Sequence, residues 1–272
     1  MSIYIIAEIG INHNGSLEQA RRLMVAARAA GADAVKFQKR TIDAVYTPEE
    51  LARPRASVFG TTNGELKRGL EFSRDQYQEI DVVCTDLTLD WSASCWDVAS
   101  VAAIADVGPP WLKIPSALLT HTPLLEAYRA TGIPLLLSTG MSTEAEVDAA
   151  VTTLHDCPLV LLHCCASYPS PLDELNLSAI RTMQSRYGLP VGYSSHSVSP
   201  WPCLMAACLG ATVLEAHLTL GRTLWGSDQA ASLEPRAFGK MVEEVRTWER
   251  ARGDGIKRVM PSEVAVKAKL RR

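Results

Sequence analysis

Short apolar runs alternate along the chain with stretches in which apolar residues recur every three to four positions. The first pattern is typical of a buried parallel strand, and the second of a helix with one face in the core. Eight runs predict strands, at residues 3–8, 34–38, 91–95, 111–114, 134–138, 159–163, 190–193 and 213–217. Helical patterns cover residues 17–30, 74–87, 98–105, 123–131, 144–154, 179–187, 200–209 and 236–252.

This repeated order of strand and helix predicts a single α/β domain, a closed (β/α)8 TIM barrel over residues 1–252 with a C-terminal tail at 253–272. A length of 272 residues suits one such barrel. One connection, at residues 39–73, interrupts the rhythm because it is rich in Pro and Gly and has little periodicity. Since it follows the second strand, we expect it to overhang the mouth of the barrel as a functional loop or lid.

Charge and composition restrict the partners. A formal net charge of −3 offers no electrostatic footprint for nucleic acid or an acidic membrane surface. The N-terminus enters a strand without a basic segment, and no apolar run reaches 18 residues, so we expect a cytoplasmic protein with small-molecule partners. The seven cysteines are scattered without a Cys-x-x-Cys pair, which favours reduced thiols over disulfides or a zinc ribbon.

Polar residues concentrate where the predicted strands end. In a TIM barrel the C-terminal ends of the strands carry the chemistry. The residues in question are Glu8, Lys36, Gln38, Ser94, Lys113, Ser116, Ser138, Thr139, His163, Tyr168, Ser194, His196 and His217.

Two of these, His196 and His217, stand 21 residues apart, and each ends a short apolar run. On neighbouring parallel strands both imidazoles would point into one mouth, as a catalytic metal site with open positions requires. A lone histidine is more often a satisfied core residue, but the paired arrangement favours a site. We interpret His163 as structural, and His121 and His155 as surface residues.

Two lysines, Lys36 and Lys113, lie within otherwise apolar strands. A buried lysine is costly unless it is paired with an anion. Together with several hydroxyl groups, the two lysines suggest a pocket for a phosphate or a phosphorylated carboxylate. Cys164 also lies near the predicted mouth, but no base is visibly placed beside it, so we do not favour a nucleophilic role.

Eight ordered motifs, which span essentially the whole chain, resemble those of the sialic acid synthase (N-acylneuraminate synthase) family. They are AEIGINHNG at 7–15, VKFQ at 35–38, LKIPSA at 112–117, LSTGMS at 137–142, HCCASYP at 163–169, GYSSH at 192–196, EAHLTL at 215–220 and GSDQAASLEP at 226–235.

The resemblance implies a TIM-barrel transferase that condenses phosphoenolpyruvate with an aldehyde sugar, releases phosphate and forms a 3-deoxy-2-keto sugar acid. It implies a divalent metal, Mn²⁺ or Mg²⁺, bound by His196 and His217, and a homodimer. Glu8 would position the aldehyde or handle protons, and would face the sugar together with Gln38 and Asp228. The residues that would hold phosphoenolpyruvate are Lys36, Ser94, Lys113, Ser116, Tyr168 and Ser194.

The chain departs from the family pattern at a few positions. Ala166 stands where a polar contact to phosphoenolpyruvate is usual, Ser195 where Asp often precedes the histidine, and Gly221 where Thr-Leu-Asp is usual. In the family, a small antifreeze-like domain begins near residue 253, and we expect this chain to lack it. A cut chain, a separate protein that supplies the domain, or an aldehyde that needs no such recognition would explain this, and we favour the last.

Two other readings stay open at this stage. A metal-dependent lyase or isomerase of a phosphorylated sugar would use the same histidines and lysines, although Ser94, Lys113 and Ser116 together argue against it. A non-catalytic protein that binds phosphoenolpyruvate or a sugar would explain Ala166. Intact His196 and His217 argue against that reading, because a binding protein needs no metal with open positions.

Overall fold

The computed structural model describes residues 2–271 and contains a closed barrel of eight parallel strands. Ten strands lie in the described part of the chain: β1 (Tyr4–Gly10), β2 (Ala34–Lys39), β3 (Pro54–Ser57), β4 (Gly60–Thr62), β5 (Asp90–Cys95), β6 (Leu112–Ile114), β7 (Leu135–Ser138), β8 (Leu159–His163), β9 (Val191–Ser195) and β10 (Val213–His217). β3 and β4 form a separate antiparallel hairpin. The other eight strands pair in chain order, and β10 closes the barrel against β1.

Helices surround the barrel. They are α1 (Leu17–Ala29), α2 (Ile42–Val45), α3 (Pro48–Ala52), α4 (Asn63–Gly69), α5 (Arg74–Leu87), α6 (Val98–Ala105), α7 (Thr122–Ala130), α8 (Glu144–Thr153), α9 (Ala179–Tyr187), α10 (Trp201–Cys208), α11 (Pro235–Ala251) and α12 (Val264–Leu270). Side-chain caps fix several helix starts. Ser16 accepts a hydrogen bond from the Gln19 amide at α1, and Thr143 and Glu146 form a capping box at α8.

The predicted fold class is therefore confirmed, and so are the eight strands and the eight surrounding helices. Every predicted end lies within two residues of the observed end, and one of the larger differences is at β1, which runs on to Gly10. Gly10 has a left-handed φ of +53°, and an added Cβ would lie 2.9 Å from Glu8 Oε1. Glycine thus lets the chain leave the strand without striking a carboxylate of the site.

The connection after β2 is the main correction. The prediction of an irregular loop at 39–73 is wrong, because this insertion contains α2, α3, the β3–β4 hairpin and α4. Two capping boxes, Thr47 with Glu50 and Thr62 with Glu65, fix its longer helices. The insertion does not line the main cavity. Instead it forms one wall of a second cavity, discussed below.

The barrel encloses a small apolar layer that is distinct from the larger core between strands and helices. The side chains of this layer are buried: Ile6, Ala34, Trp111, Leu136, Leu162 and Val213. Two residues further along most of the same strands, the inward positions become polar. Because successive inward residues of a strand are two apart, the change from apolar to polar marks the floor of the mouth.

Beyond α11, residues 253–271 form an exposed segment that includes α12. The proposed boundary of the barrel domain at residue 252 stays a prediction. No helix between residues 2 and 271 combines the length and the apolar character needed to cross a membrane.

Candidate active site

A polar cavity opens at the C-terminal ends of the barrel strands. The structure brings ten of the eleven predicted site residues to its wall: Glu8, Lys36, Gln38, Ser94, Lys113, Ser116, Tyr168, Ser194, His196 and His217. The eleventh, Asp228, is not in the wall. It lies close enough to His217 for its carboxylate to oppose part of the lowering of the imidazole pKa that burial causes. Most of the polar strand ends thus meet in one site, as their positions predicted, whereas Thr139 and His163 do not line it.

Lys36 is held by protein groups on three sides. Its Nζ lies 2.7 Å from Glu8 Oε2, 2.7 Å from Ser94 Oγ and 3.8 Å from Glu215 Oε2. The side chains of Lys36 and Glu8 are only 4 % and 2 % exposed. The anion that a buried lysine requires is therefore supplied at Lys36 by the protein itself.

Glu215 is the residue of the site that sequence reasoning missed. It lies two residues before His217 on β10, and its Oε1 is 3.2 Å from Lys113 Nζ and accepts a 2.8 Å hydrogen bond from Ser194. Glu215 therefore joins the two lysines in one buried network with Glu8. The signal was present, because an acidic residue at an inward position two residues from a proposed ligand must face the same cavity.

The two carboxylates have opposite pKa shifts. Burial raises the pKa of a carboxyl, and at Glu8 it prevails over Lys36 and brings the pKa to about 7. At Glu215 the charges of Lys113 and Lys36 outweigh burial and hold the pKa at about 2. Two carboxyls whose environments separate their pKa values in this way are suited to different tasks, with Glu215 a permanent anion and Glu8 a group that exchanges its proton near neutral pH.

The imidazoles of His196 and His217 face each other with their ring centroids 5.5 Å apart. Nδ1 of His196 lies 2.7 Å from the Cys165 carbonyl oxygen, which can only accept, so Nδ1 carries the proton and Nε2 is left as the basic nitrogen. Nδ1 of His217 is buried and has no hydrogen-bond partner within residues 2–271. Burial lowers the pKa of both rings, which keeps them neutral and able to act as ligands.

The described residues contain no group of three or more His, Cys, Asp or Glu side chains arranged to hold a metal ion. A metal at the histidine pair would therefore have two ligands from this chain. An unpartnered buried nitrogen at His217 and a free basic nitrogen at His196 fit such an open site, in which substrate and water complete the coordination.

The loops after β6, β7 and β8 meet closely at one side of the cavity. Ser116 Oγ accepts a hydrogen bond from the Gly140 amide at 3.0 Å and lies 3.2 Å from Cys164 Sγ. A Cβ at Gly140 would lie 2.8 Å from Cys164 Sγ, so glycine permits this approach. Burial raises the pKa of the Cys164 thiol, which agrees with our not assigning it a nucleophilic role.

Tyr168 covers the histidine pair. Its ring centroid lies 4.0 Å from that of His196 and 5.6 Å from that of His217. Ala166, two residues earlier, also lines the cavity, so the polar group expected there from the resemblance is absent from this wall.

The histidines predicted to lie outside the site do so. His163 donates from Nε2 to the Leu175 carbonyl oxygen at 2.8 Å, as expected for a structural residue, because that oxygen can only accept. His121 caps α7 by accepting at Nδ1 from the Leu124 amide, and His155 is exposed. None of the three lines the cavity.

The barrel and the charged cavity at the ends of its strands define a TIM-barrel enzyme. A family model described as the NeuB family matches residues 23–257, and the chain belongs to this family. It is 37 % identical over 273 residues to the N-acetylneuraminate-9-phosphate synthase of Homo sapiens, a match that covers 98 % of this chain and 76 % of that protein. It is 34 % identical to the N,N'-diacetyllegionaminic acid synthase of Legionella pneumophila, covering 100 % of this chain and 79 % of that protein.

A solved structure gives the same result. The N-acetylneuraminic acid synthetase of Leptospira borgpetersenii, crystallised with citrate, superposes with a TM-score of 0.88 at 31 % identity and covers 100 % of this chain and 93 % of that chain. The resemblance drawn from the motifs is therefore confirmed at the level of the family.

Proposed function

We propose that this protein condenses phosphoenolpyruvate with an open-chain aldehyde sugar, forms a 3-deoxy-2-keto sugar acid of the sialic acid type and releases phosphate. The proposal is supported by relatives named as synthases of N-acetylneuraminate 9-phosphate and N,N'-diacetyllegionaminic acid. The observation that carries it here is the buried Glu8–Lys36–Glu215–Lys113 network beside two neutral histidines in one cavity.

The donor would occupy the side of the cavity formed by β5, β6 and β9. Lys113, Ser94, Ser116 and Ser194 present one ammonium and three hydroxyl groups there. Phosphoenolpyruvate carries a phosphate and a carboxylate. These anionic groups would compete with Glu8 and Glu215 for the ammonium groups of the two lysines. Tyr168 would close the donor site from above.

The reaction forms a bond between C3 of phosphoenolpyruvate and the aldehyde carbon, adds water at C2 and breaks the C2–O bond to phosphate. Gln38, Asp228 and Glu8 would face the acceptor. Glu8 can hold or deliver a proton to the oxygen of the former aldehyde, because burial raises the pKa of its carboxyl above the ordinary range and favours the protonated form. Holding both reactants in near-attack geometry is worth roughly 7–11 kcal/mol.

His196 and His217 would hold a divalent ion, Mn²⁺ or Mg²⁺, which when bound supplies Lewis-acid polarisation of the aldehyde. The hydrogen bond from His196 Nδ1 to the Cys165 carbonyl would keep that ring oriented toward the ion. The homodimer and a cytoplasmic location stay predictions.

The test is loss of phosphoenolpyruvate and release of phosphate with Mn²⁺ across a panel of aldoses, including N-acetylmannosamine, unacetylated hexoses, pentoses and phosphorylated sugars. We expect release that requires one aldehyde and stops with EDTA. His217→Ala removes one of two ligands and should abolish metal-dependent turnover while the protein stays folded. His155→Ala, at an exposed histidine, is the matched control. Donor binding without release from any aldose would contradict a synthase.

A further inference from the structure

A second cavity of about 250 Å³ opens between the insertion at 39–73 and the loop after β10. Its walls combine apolar groups of Leu66, Leu70 and Trp225 with the cationic side chains of Arg55 and Lys67. Phe59 supports it from behind, with its ring centroid 6.2 Å from that of Trp225. Asn14 joins the two walls by donating from Nδ2 to the Trp225 carbonyl at 2.7 Å.

The cations of the insertion fall into two groups. Arg40 pairs with Glu71 at 3.4 Å, and Arg68 pairs with Asp43 at 2.5 Å. Within residues 2–271, Lys67 and Arg55 have no carboxylate partner at ion-pair distance. Each of them instead contacts a neutral group: the Tyr46 ring lies 5.2 Å from Lys67 Nζ, and Asn63 Oδ1 lies 3.4 Å from Arg55 Nη1. Both cations that face the second cavity are thus without an ion-pair partner among residues 2–271.

Lys67 is also shielded from solvent. Burial lowers the pKa of its ammonium, and the nearby charges of Arg40 and Arg55 lower it further. The carboxylates of Asp228 and Glu71 oppose this effect but neither forms an ion pair with Lys67, so the ammonium can still accept a further anion. A phosphate monoester carries about −1.5 to −2 charges near pH 7 and matches one lysine and one arginine, whereas a carboxylate would neutralise only one of them.

The second cavity lies on the same rim as the candidate active site. Asp228 favours the protonated forms of both Lys67 and His217, so its carboxylate lies near both. Arg40, which acts on Lys67, also donates to the side chain of Gln38 in the wall of the main cavity. Asp228, which would face the acceptor under the proposed function, therefore lies between the influence of His217 and that of Lys67.

From these contacts we infer that Lys67 and Arg55 form a subsite for a phosphate group on the end of the acceptor sugar remote from its aldehyde. The inference rests on the proposed function and makes it more specific, because it selects phosphorylated over unphosphorylated acceptors. Lys67 supplies a charge and hydrogen-bond donors, and Arg55 supplies a planar guanidinium that can bind two phosphate oxygens at once. Trp225 and Leu70 exclude water from the carbon chain.

The experiment compares N-acetylmannosamine with its 6-phosphate as acceptor, following loss of phosphoenolpyruvate. We expect kcat/KM to be at least about tenfold higher for the phosphorylated sugar, the effect of one charge-assisted hydrogen bond. Lys67→Gln should remove most of this preference and leave both the KM for phosphoenolpyruvate and the rate with the unphosphorylated sugar unchanged. Arg55→Gln should act in the same direction.

Arg68→Gln is the matched control, because Arg68 lies in the same helix but is already paired with Asp43. It should leave the preference intact. Equal kcat/KM for the two sugars in the unmodified protein would overturn the inference, and so would a Lys67→Gln variant that loses activity on both sugars in proportion.

Calorimetric binding of N-acetylmannosamine 6-phosphate, without phosphoenolpyruvate, separates this inference from the proposed function. If no sugar supports loss of phosphoenolpyruvate, the proposed function fails. Binding of the sugar phosphate that Lys67→Gln weakens and Arg68→Gln does not would then still support the phosphate subsite. Binding that is undetectable, or equal in the unmodified protein and Lys67→Gln, would overturn it.

Discussion

Two layers inside the barrel use the same strands for opposite purposes. In the lower layer, Ile6, Ala34, Trp111 and Val213 pack against one another. Two residues further along the same four strands, the inward positions hold Glu8, Lys36, Lys113 and Glu215. Both layers are buried, but only the upper one contains charges.

The difference shows what each layer contributes to the free energy of unfolding. The lower layer stabilises the fold through burial of apolar area, roughly 25 cal/mol per Å². The upper layer removes four charged groups from water, and their mutual attraction offsets that cost only while every partner is present. The buried charges of the upper layer thus lower the free energy of unfolding, as a site for charged substrates requires. Burial of the apolar lower layer offsets that loss.

The largest effect should follow from breaking the upper layer at Glu215. Glu215→Gln leaves Lys113 without a carboxylate and reduces the pairing of Lys36. We expect the free energy of unfolding to fall by about 3–5 kcal/mol, the usual cost of leaving a buried charge unpaired. Urea denaturation measures this. Glu243→Gln, at an exposed position on α11, should change it by no more than about 0.5 kcal/mol. A similarly small loss at Glu215 would show that the lysines do not depend on it.

A somewhat smaller effect should follow from a cavity in the lower layer. Leu162 is fully buried on β8, and Leu162→Ala should cost about 2–5 kcal/mol because the packed layer cannot collapse completely. Its kcat/KM should stay close to that of the unmodified protein, in contrast to changes in the upper layer. Leu172→Ala, at a leucine that is 69 % exposed, is the control. If Leu162→Ala lost activity without losing stability, the division between the layers would be wrong.

The comparison also shows how far the sequence could lead. The apolar runs predicted every barrel strand, because a strand buried on both faces must be almost continuously apolar. The polar residues that interrupt those runs predicted the wall of the cavity, because a charge in such a run must face something other than the core. Both inferences depend on one strand at a time.

What the sequence did not predict depends on pairs of strands. The interpretation of Lys36 and Lys113 assumed that their anion is the substrate, whereas Glu8 already pairs with Lys36 from the neighbouring strand and Glu215 pairs with Lys113 from across the barrel. Which strands face one another is a property of barrel closure and is not written in any local pattern. The prediction of a loop at 39–73 was wrong for a different reason. The two capping boxes are local sequence signals for helices, but the abundance of Pro and Gly favoured a loop.

The smallest effect concerns a buried titratable group outside both layers. His13, in the turn after β1, stacks on Phe72 with ring centroids 4.1 Å apart and accepts at Nδ1 from the Gly15 amide at 3.1 Å. Burial lowers its pKa to about 3. In the unfolded chain the same histidine takes up a proton below about pH 6.5. Between pH 6.5 and 3 the unfolded state therefore binds more protons, and the free energy of unfolding falls as the pH falls.

The slope assigned to His13 is about 1.4 kcal/mol per pH unit. Glu8 has the opposite sign, because its raised pKa makes the folded state bind more protons between its ordinary value and about 7. The measurement is therefore the difference between the unmodified protein and His13→Gln, obtained by urea denaturation at several pH values from 6.5 to 4.5. That difference should shrink toward acid pH at the stated slope, whereas His155→Gln should show no such trend. If the difference in free energy of unfolding stayed constant over this range, His13 would be protonated in the folded protein as well. Its neighbours would then stabilise the imidazolium without a carboxylate, unlike the charged layer, where carboxylates pair with the lysines.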